Sequence, residues 1–185
     1  MSLTYSSIMP LGTHAPDFHL VDVISGKEIS PGMQKKEHGL VVMFICNHCP
    51  YVLHIEDEVS RVAREYQEKG VGFVAISSND IDKYPDDDPE GMREQAKRAG
   101  FTFPYIYDES QEVAKAYEAE CTPEFYVFNA SLECVYRGRL DAASPGNGKP
   151  IDGADLRRAL DNLISGRNIP LDQKPSMGCN IKWKA

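Results

Sequence analysis

Two cysteines separated by two residues offer the clearest chemistry in this 185-residue sequence. They lie in the run Cys46-Asn47-His48-Cys49-Pro50, directly after a stretch of apolar residues. Cysteines at this spacing can close a short disulfide, and the thiolate is the form that attacks disulfides or binds metals. A redox-active dithiol, half of a metal site and a structural pair are all compatible with the motif.

The pattern around the motif predicts a strand before it and a helix after it. Leu40 to Ile45 is a continuous apolar run, typical of a strand buried on both faces of a sheet. From Pro50 to Lys69, apolar residues recur every three or four positions and proline occupies the first turn, which indicates an amphipathic helix. Cys46 would then precede the helix, where unpaired amides and the helix dipole favour a thiolate. We therefore expect Cys46 to be the low-pKa attacking thiol and Cys49 the resolving thiol, with His48 adding positive charge or a hydrogen bond.

A zinc or copper site is the main alternative at this motif. Zinc sites usually have four ligands, often from a second closely spaced pair, but Cys121, Cys134 and Cys179 are isolated in the sequence. His48 or His54 would have to complete such a site. The spacing therefore favours redox chemistry without a metal or another cofactor.

A second candidate element is Cys121-Thr122-Pro123, immediately before a predicted strand. A proline here can hold a cis peptide bond that fixes a backbone edge against a substrate, and a trans proline that only starts the strand is equally compatible. Cys121 and the tail residue Cys179 are candidate auxiliary thiols. For Cys121, a small buried unreactive thiol is the preferred interpretation.

The remaining periodicity predicts one α/β domain over residues 1–185, in which helices flank a central mixed sheet. A short N-terminal hairpin is expected within 15–29, and a solvated loop covers 79–90. The segment 167–185 reads as an irregular tail. Further strands are expected at 71–77, 104–107, 124–128 and 133–139, and further helices at 90–99, 111–117 and 156–164.

Composition narrows the classes of partner and compartment. The chain has 20 Lys and Arg against 28 Asp and Glu, a net charge of −8, so we expect neither nucleic-acid nor membrane partners. No apolar run approaches the roughly 20 residues of a membrane span, and residues 1–16 lack the pattern of a signal peptide. Five cysteines are too few for a disulfide scaffold, so we expect a cytoplasmic protein.

The motifs together resemble the thioredoxin superfamily, with its strand–Cys-x-x-Cys–helix unit and a later Thr-Pro before a hairpin. The opening Gly12-Thr13-His14-Ala15-Pro16-Asp17-Phe18 resembles the entry hairpin of the peroxiredoxin and alkyl hydroperoxide reductase branch. The loop Pro145 to Pro150 and the tail Gly178-Cys179-Asn180-Ile181-Lys182-Trp183 are similar to peroxiredoxin-like thioredoxin-family proteins. The resemblance covers nearly the whole chain and implies a thioredoxin-like fold with an N-terminal hairpin extension.

The resemblance also implies residue roles. Cys46 and Cys49 match the thioredoxin dithiol, Pro123 matches the superfamily's cis-proline, and His48 and Thr122 would tune the site. The implied activity is thiol–disulfide exchange with protein or low-molecular-weight disulfides, maintained by a recycling reductase.

Two alternatives remain at this point. One is a thiol-dependent peroxidase acting on hydroperoxides, with Cys49 as its peroxidatic residue. Against it, Cys46 stands where peroxiredoxins keep Thr or Ser, and no arginine occupies the position that they use to polarise the peroxide. The other is a copper- or zinc-binding module. A monomer and a homodimer are both compatible with the sequence.

Overall fold

The fold is built around the strand that leads into the cysteine motif, in a computed structural model that describes residues 2–6 and 9–185. This strand, β4 (Gly39–Phe44), is buried along its whole length and lies at the centre of a five-stranded sheet of order β6-β5-β4-β8-β9. It pairs in parallel with β5 and antiparallel with β8. A continuous apolar run is what such a doubly covered strand requires. The strands of the sheet are β4 (Gly39–Phe44), β5 (Val71–Ser77), β6 (Tyr105–Tyr107), β8 (Glu124–Asn129) and β9 (Cys134–Gly138).

Helices cover both faces of this sheet. On one face, helices α2, α3 and α5 pack against the odd-numbered residues of β4, such as Val41 and Met43. On the other face, α4 and the segment 9–18 pack against its even-numbered residues, such as Val42 and Phe44. The helices are α1 (Pro31–Gln34), α2 (Pro50–Glu68), α3 (Pro89–Ala99), α4 (Glu112–Ala116) and α5 (Ala154–Ile164), with a 3₁₀ turn at Pro85–Asp87. None of the described helices is long and apolar enough to cross a membrane.

Two smaller sheets complete the fold. The N-terminal hairpin pairs β2 (Leu20–Val21) with β3 (Glu28–Ile29), as the sequence predicts. A three-stranded antiparallel sheet joins β1 (Leu3–Tyr5), β10 (Met177–Asn180) and β7 (Cys121–Thr122), with β10 in the middle. Each of its strands is short, and the sheet brings both ends of the chain beside the Thr122-Pro123 step.

The predicted mixed sheet flanked by helices is confirmed, and most predicted elements agree with the structure within one or two residues. The segment 167–185 departs from expectation because it is not irregular throughout: β10 lies within it. Neither β7 nor β10 shows an alternation of apolar and polar residues that would identify it as a strand. Both are short and form by pairing with segments distant in sequence. The loop 79–90 also differs from a solvated loop, because the carboxyl groups of Asp80 and Asp87 are buried.

Candidate active site

Cys46 and Cys49 lie where β4 passes into α2. Cys46 follows the strand by two residues, and Cys49 is the N-cap residue of α2, with Pro50 in the first helical position. Proline fits there because its missing amide hydrogen would have no intrahelical partner. The two side chains are 1% and 0% exposed, so the dithiol is closed off from solvent.

Thr122 and Pro123 cover the dithiol from the opposite side. The Thr122-Pro123 peptide bond is cis, the isomer that the resemblance implies. The hydroxyl oxygen of Thr122 lies 3.5 Å from the Cys46 sulfur, and its carbonyl oxygen lies 3.4 Å from the Cys49 sulfur. Thr122 therefore contacts both thiols at once, through its side chain and its backbone.

Cys179 brings a third thiol into the site. The sulfur atoms of Cys179 and Cys49 are 2.7 Å apart, and Cys179 is 3% exposed. β10 presents Cys179 in this way because it pairs with β7, with Cys179 directly opposite Thr122 in the register. The sequence marked Cys179 only as an auxiliary candidate, since 130 residues separate it from Cys49.

The pKa directions within the site differ from the sequence-based expectation. Hydrogen bonds between Cys49 and the Cys179 and Cys46 thiols lower the pKa of Cys49. Burial, together with the neighbouring Cys49, raises the pKa of Cys46 well above its ordinary value. The lower pKa expected at Cys46 thus lies at Cys49 instead, because Cys49 occupies the N-cap of α2 and shares hydrogen bonds with the other two thiols.

The two remaining cysteines do not join this cluster of thiols. The Cys121 sulfur points toward the Glu124 carboxylate, 4.0 Å away, and burial raises the pKa of the Cys121 thiol. The Cys134 thiol lies 3.6 Å from the Tyr136 carbonyl oxygen, and burial raises its pKa to about 11. Both environments disfavour a thiolate.

His48 turns toward a buried aspartate that the sequence analysis missed. Its Nδ1 makes a short hydrogen bond with Asp87 Oδ2, and its ring stacks on Tyr84 with centroids 5.0 Å apart. Asp87 also accepts hydrogen bonds from the backbone amides of Asn47 and His48, at 2.7 and 3.1 Å, and from the Asn79 side chain at 2.9 Å. Asp87 therefore fixes the two residues between the cysteines.

A signal for this aspartate exists in the order of the elements. The carboxyl ends of neighbouring parallel strands meet at one edge of a sheet, so the loop after β5 lies beside the end of β4. The loop 79–90 carries six acidic residues. Which of them turns inward depends on the 3₁₀ turn at Pro85–Asp87, which local sequence does not show.

Potential metal ligands are also present, in a different set from the one expected. One donor atom each from Cys46, His48 and Asp87 lies within 4.8 Å of the others. Asp87, however, already accepts four hydrogen bonds, three of which come from residues of the motif and hold it in place. These three residues therefore fit a positioning network at least as well as a metal site.

A surface cavity of about 360 Å³ lies beside Pro123 and the first turns of α2. Tyr51, Pro123 and Met177 contribute apolar surface, and Arg139 and Asp141 contribute charges of opposite sign. The cavity lies where Pro123 meets β10, so it gives a substrate a place next to segments that cover the dithiol.

Comparison with known proteins identifies the family. Residues 11–137 match the family model described as the AhpC/TSA family, which covers more than half of the chain. The chain belongs to the AhpC/TSA family. Among curated proteins, none matches the sequence significantly.

Two solved structures resemble this protein over nearly their whole length. A conserved protein from Geobacillus kaustophilus is 53% identical, with a TM-score of 0.97, over 100% of this chain and 97% of the other. A protein from Sinorhizobium meliloti 1021 is 43% identical, with a TM-score of 0.95, over 98% of this chain and 99% of the other. A more distant structure, a secreted Mycobacterium tuberculosis disulfide oxidoreductase homologous to Escherichia coli DsbE, is 17% identical over 78% of this chain and 94% of the other. Its TM-score of 0.61 shows a shared thioredoxin-like fold.

Proposed function

We propose that this AhpC/TSA-family protein is a thiol–disulfide oxidoreductase that cycles between a Cys46, Cys49 dithiol and the corresponding disulfide. The observation that carries the proposal is the position of both thiols at the start of α2, under the Thr122 backbone and the cis Pro123. In this arrangement the helix terminus stabilises a thiolate, and a second thiol three positions away can resolve a mixed disulfide.

The exchange begins at Cys49. Its thiolate attacks one sulfur of a substrate disulfide, a mixed disulfide forms, and the other substrate sulfur leaves as a thiolate. Cys46 then loses its proton and attacks the Cys49 sulfur. The Cys46–Cys49 bond forms, the bond to the substrate breaks, and the second substrate sulfur leaves with the electron pair. A separate reductase returns the disulfide to the dithiol.

Burial of the dithiol limits what can reach it. The cavity beside Pro123 contains none of the thiols in its lining, so a disulfide reaches them only when the covering segments open, and a small disulfide needs a smaller opening than a protein does. We therefore propose low-molecular-weight disulfides as the first substrates to test, in the reducing conditions of the cytoplasm.

A redox titration in glutathione buffers tests this proposal. Differential alkylation and peptide mass spectrometry would follow Cys46 and Cys49 separately, with Cys134→Ser as a matched control for loss of one buried thiol. We expect a reversible disulfide with a midpoint between about −270 and −120 mV, the range of known dithiol oxidoreductases. If Cys46 and Cys49 never pair with each other across the titration, the proposal is wrong.

One observation favours a second candidate function, a thiol-dependent peroxidase. The pKa of Cys49 is lowered at a helix N-cap, which suits a peroxidatic thiolate. The nearby guanidinium groups are already engaged, however: Arg139 pairs with Asp155 at 2.6 Å, and Arg137 bonds to Gln173 at 2.6 Å and to the Met9 carbonyl at 2.8 Å.

Peroxide kinetics separate the two functions. A peroxidase would oxidise Cys49 far faster than free cysteine reacts with hydrogen peroxide, and its sulfenic acid would accumulate once the resolving thiols are replaced. A second-order rate no faster than that of free cysteine would exclude this candidate and leave disulfide exchange.

A further inference from the structure

The cysteine of β10 occupies the place where an exchange partner of Cys49 would lie. β10 is antiparallel to Cys121–Thr122, at the strand edge directly before Pro123, and Cys179 faces Thr122. The Cys179 sulfur is 2.7 Å from the Cys49 sulfur, within about 1 Å of the length of a disulfide bond. The protein therefore holds one of its own segments at the reacting atom.

This placement is fixed from several directions. β10 also pairs with β1, in which Thr4 lies opposite Gly178. Beyond β10, the Ile181 amide donates to the Glu120 carbonyl at 3.0 Å, and the Lys182 amide donates to Asn79 Oδ1 at 2.8 Å. The strand that carries Cys179 is thus paired along both of its edges. These pairings hold Cys179 against Cys49 more firmly than a free tail would.

The packing at Gly178 shows how closely β10 approaches the site. A Cβ atom at this position would lie 1.9 Å from the Thr122 carbonyl oxygen and 3.2 Å from Pro123 Cδ. Only glycine permits β10 to come this near to Thr122-Pro123, and Cys179 is the next residue. The sequence Gly178-Cys179 therefore suits delivery of a thiol into the dithiol site.

We propose that Cys179 is a third redox-active thiol, which attacks Cys49 in the Cys46–Cys49 disulfide and converts it into a Cys49–Cys179 disulfide. The inference rests on the proposed function, because that disulfide is its starting point. Cys179 loses its proton and attacks the Cys49 sulfur, so that a Cys49–Cys179 bond forms and the Cys46–Cys49 bond breaks. The electron pair leaves on Cys46, which takes up a proton, and no outside oxidant or reductant is required.

The exchange has a structural consequence. In the Cys49–Cys179 state, β10 is covalently attached to the start of α2, and Cys46 is again a thiol. The disulfide then joins β10 to α2. The protein has the same oxidation level in the Cys46–Cys49 and Cys49–Cys179 forms, which are isomers.

Oxidised glutathione tests this relay in the full-length protein. In Cys46→Ser, Cys49 attacks glutathione disulfide and Cys179 then displaces glutathione, which gives a Cys49–Cys179 disulfide. In Cys46→Ser with Cys179→Ser, the glutathione adduct on Cys49 has no neighbour to displace it. We expect adduct occupancy lower by about tenfold or more in the single variant, because the third thiol is held at high effective concentration.

The controls separate this inference from the proposed function. Cys46→Ser with Cys134→Ser should behave like Cys46→Ser alone, since the Cys134 thiol faces the Tyr136 carbonyl. Equal adduct occupancy in Cys46→Ser and in its Cys179→Ser derivative would overturn the relay. Peptide mapping of the oxidised wild type provides a second readout that needs no substitution: a Cys49–Cys179 peptide supports the relay, and its absence at full oxidation contradicts it. In Cys179→Ser, only the Cys46–Cys49 disulfide can form among these three positions, so this variant tests the proposed function alone.

Discussion

Gly178→Ala should loosen β10 and expose the dithiol while leaving the main sheet intact. The added methyl group would overlap the Thr122 carbonyl oxygen, which lies 1.9 Å from the Cβ position. That oxygen belongs to the backbone and cannot rotate away, so β10 must shift. Overpacking of this kind costs about 1–3 kcal/mol, which raises the population of the open form about 5–150-fold.

The rate of alkylation under native conditions measures this opening. Cys49 and Cys179 are 0% and 3% exposed, so each reacts through opened molecules, and its rate follows the open population. We expect both to be alkylated about 5–150-fold faster in Gly178→Ala than in wild type. Cys134, which is buried in β9, reports opening of the remainder of the molecule in the same sample.

Gly32→Ala is the matched control. It makes the same substitution in α1, where the new Cβ atom would meet no neighbour within 4 Å. Its alkylation rates should equal those of wild type. Unchanged rates at Cys49 and Cys179 in Gly178→Ala would refute the argument that close approach of β10 closes the site. An equal rise at Cys134 would also refute it, because the whole molecule would then be opening.

Two further predictions concern buried carboxyl groups beside the site. Asp87→Asn should lower the free energy of unfolding, measured in urea, by about 1–3 kcal/mol, because it disturbs a buried acceptor of four hydrogen bonds. The same substitution should lower the pKa of Cys46, which the charge of Asp87 helps to raise. The exposed Asp86→Asn is its control, and equal stability of the two variants would contradict this role. Burial raises the pKa of Glu124 to about 7, so the folded state holds a proton that the unfolded state has lost between about pH 4.5 and 7. The free energy of unfolding should therefore fall by up to about 3 kcal/mol as pH rises through this window. Urea unfolding at pH 5 and pH 8 measures the fall, which Glu124→Gln should remove. A wild-type protein that is equally stable at both pH values would contradict the pKa shift.

The sequence determines the core of the fold and the position of the dithiol because those signals are local. The short length of the apolar run Leu40 to Ile45 and its β-branched residues favour a buried strand, and the three- and four-residue spacing after Pro50 favours a helix. Once strand and helix are placed, Cys46 and Cys49 must lie at their junction. The later Pro123, at the start of β8, follows from the same local pattern.

The roles of the two thiols depend on tertiary contacts. Local reasoning places the lower pKa on Cys46, because it precedes the helix. In the folded chain, α2 begins one residue after Cys49, Cys46 is buried, and the hydrogen bond between the Cys49 and Cys179 thiols lowers the pKa of Cys49. Burial and partners decide a thiol pKa, and both come from parts of the chain far away in sequence.

Local sequence signals determined the chemistry of this protein, whereas contacts between distant residues, present only in the tertiary structure, completed the site. Spacing indicated redox chemistry at a Cys-x-x-Cys motif, patterning indicated an α/β domain, and the resemblance of the motifs implied its thioredoxin-like fold. Asp87 and Cys179 were visible as residue types, but their neighbours were not, because a loop turn brought Asp87 to the motif and a strand pairing brought Cys179 to Cys49, 130 residues away in sequence. Short strands such as β7 and β10 gain their stability from each other's backbone hydrogen bonds, so neither segment's own pattern shows that together they close the site.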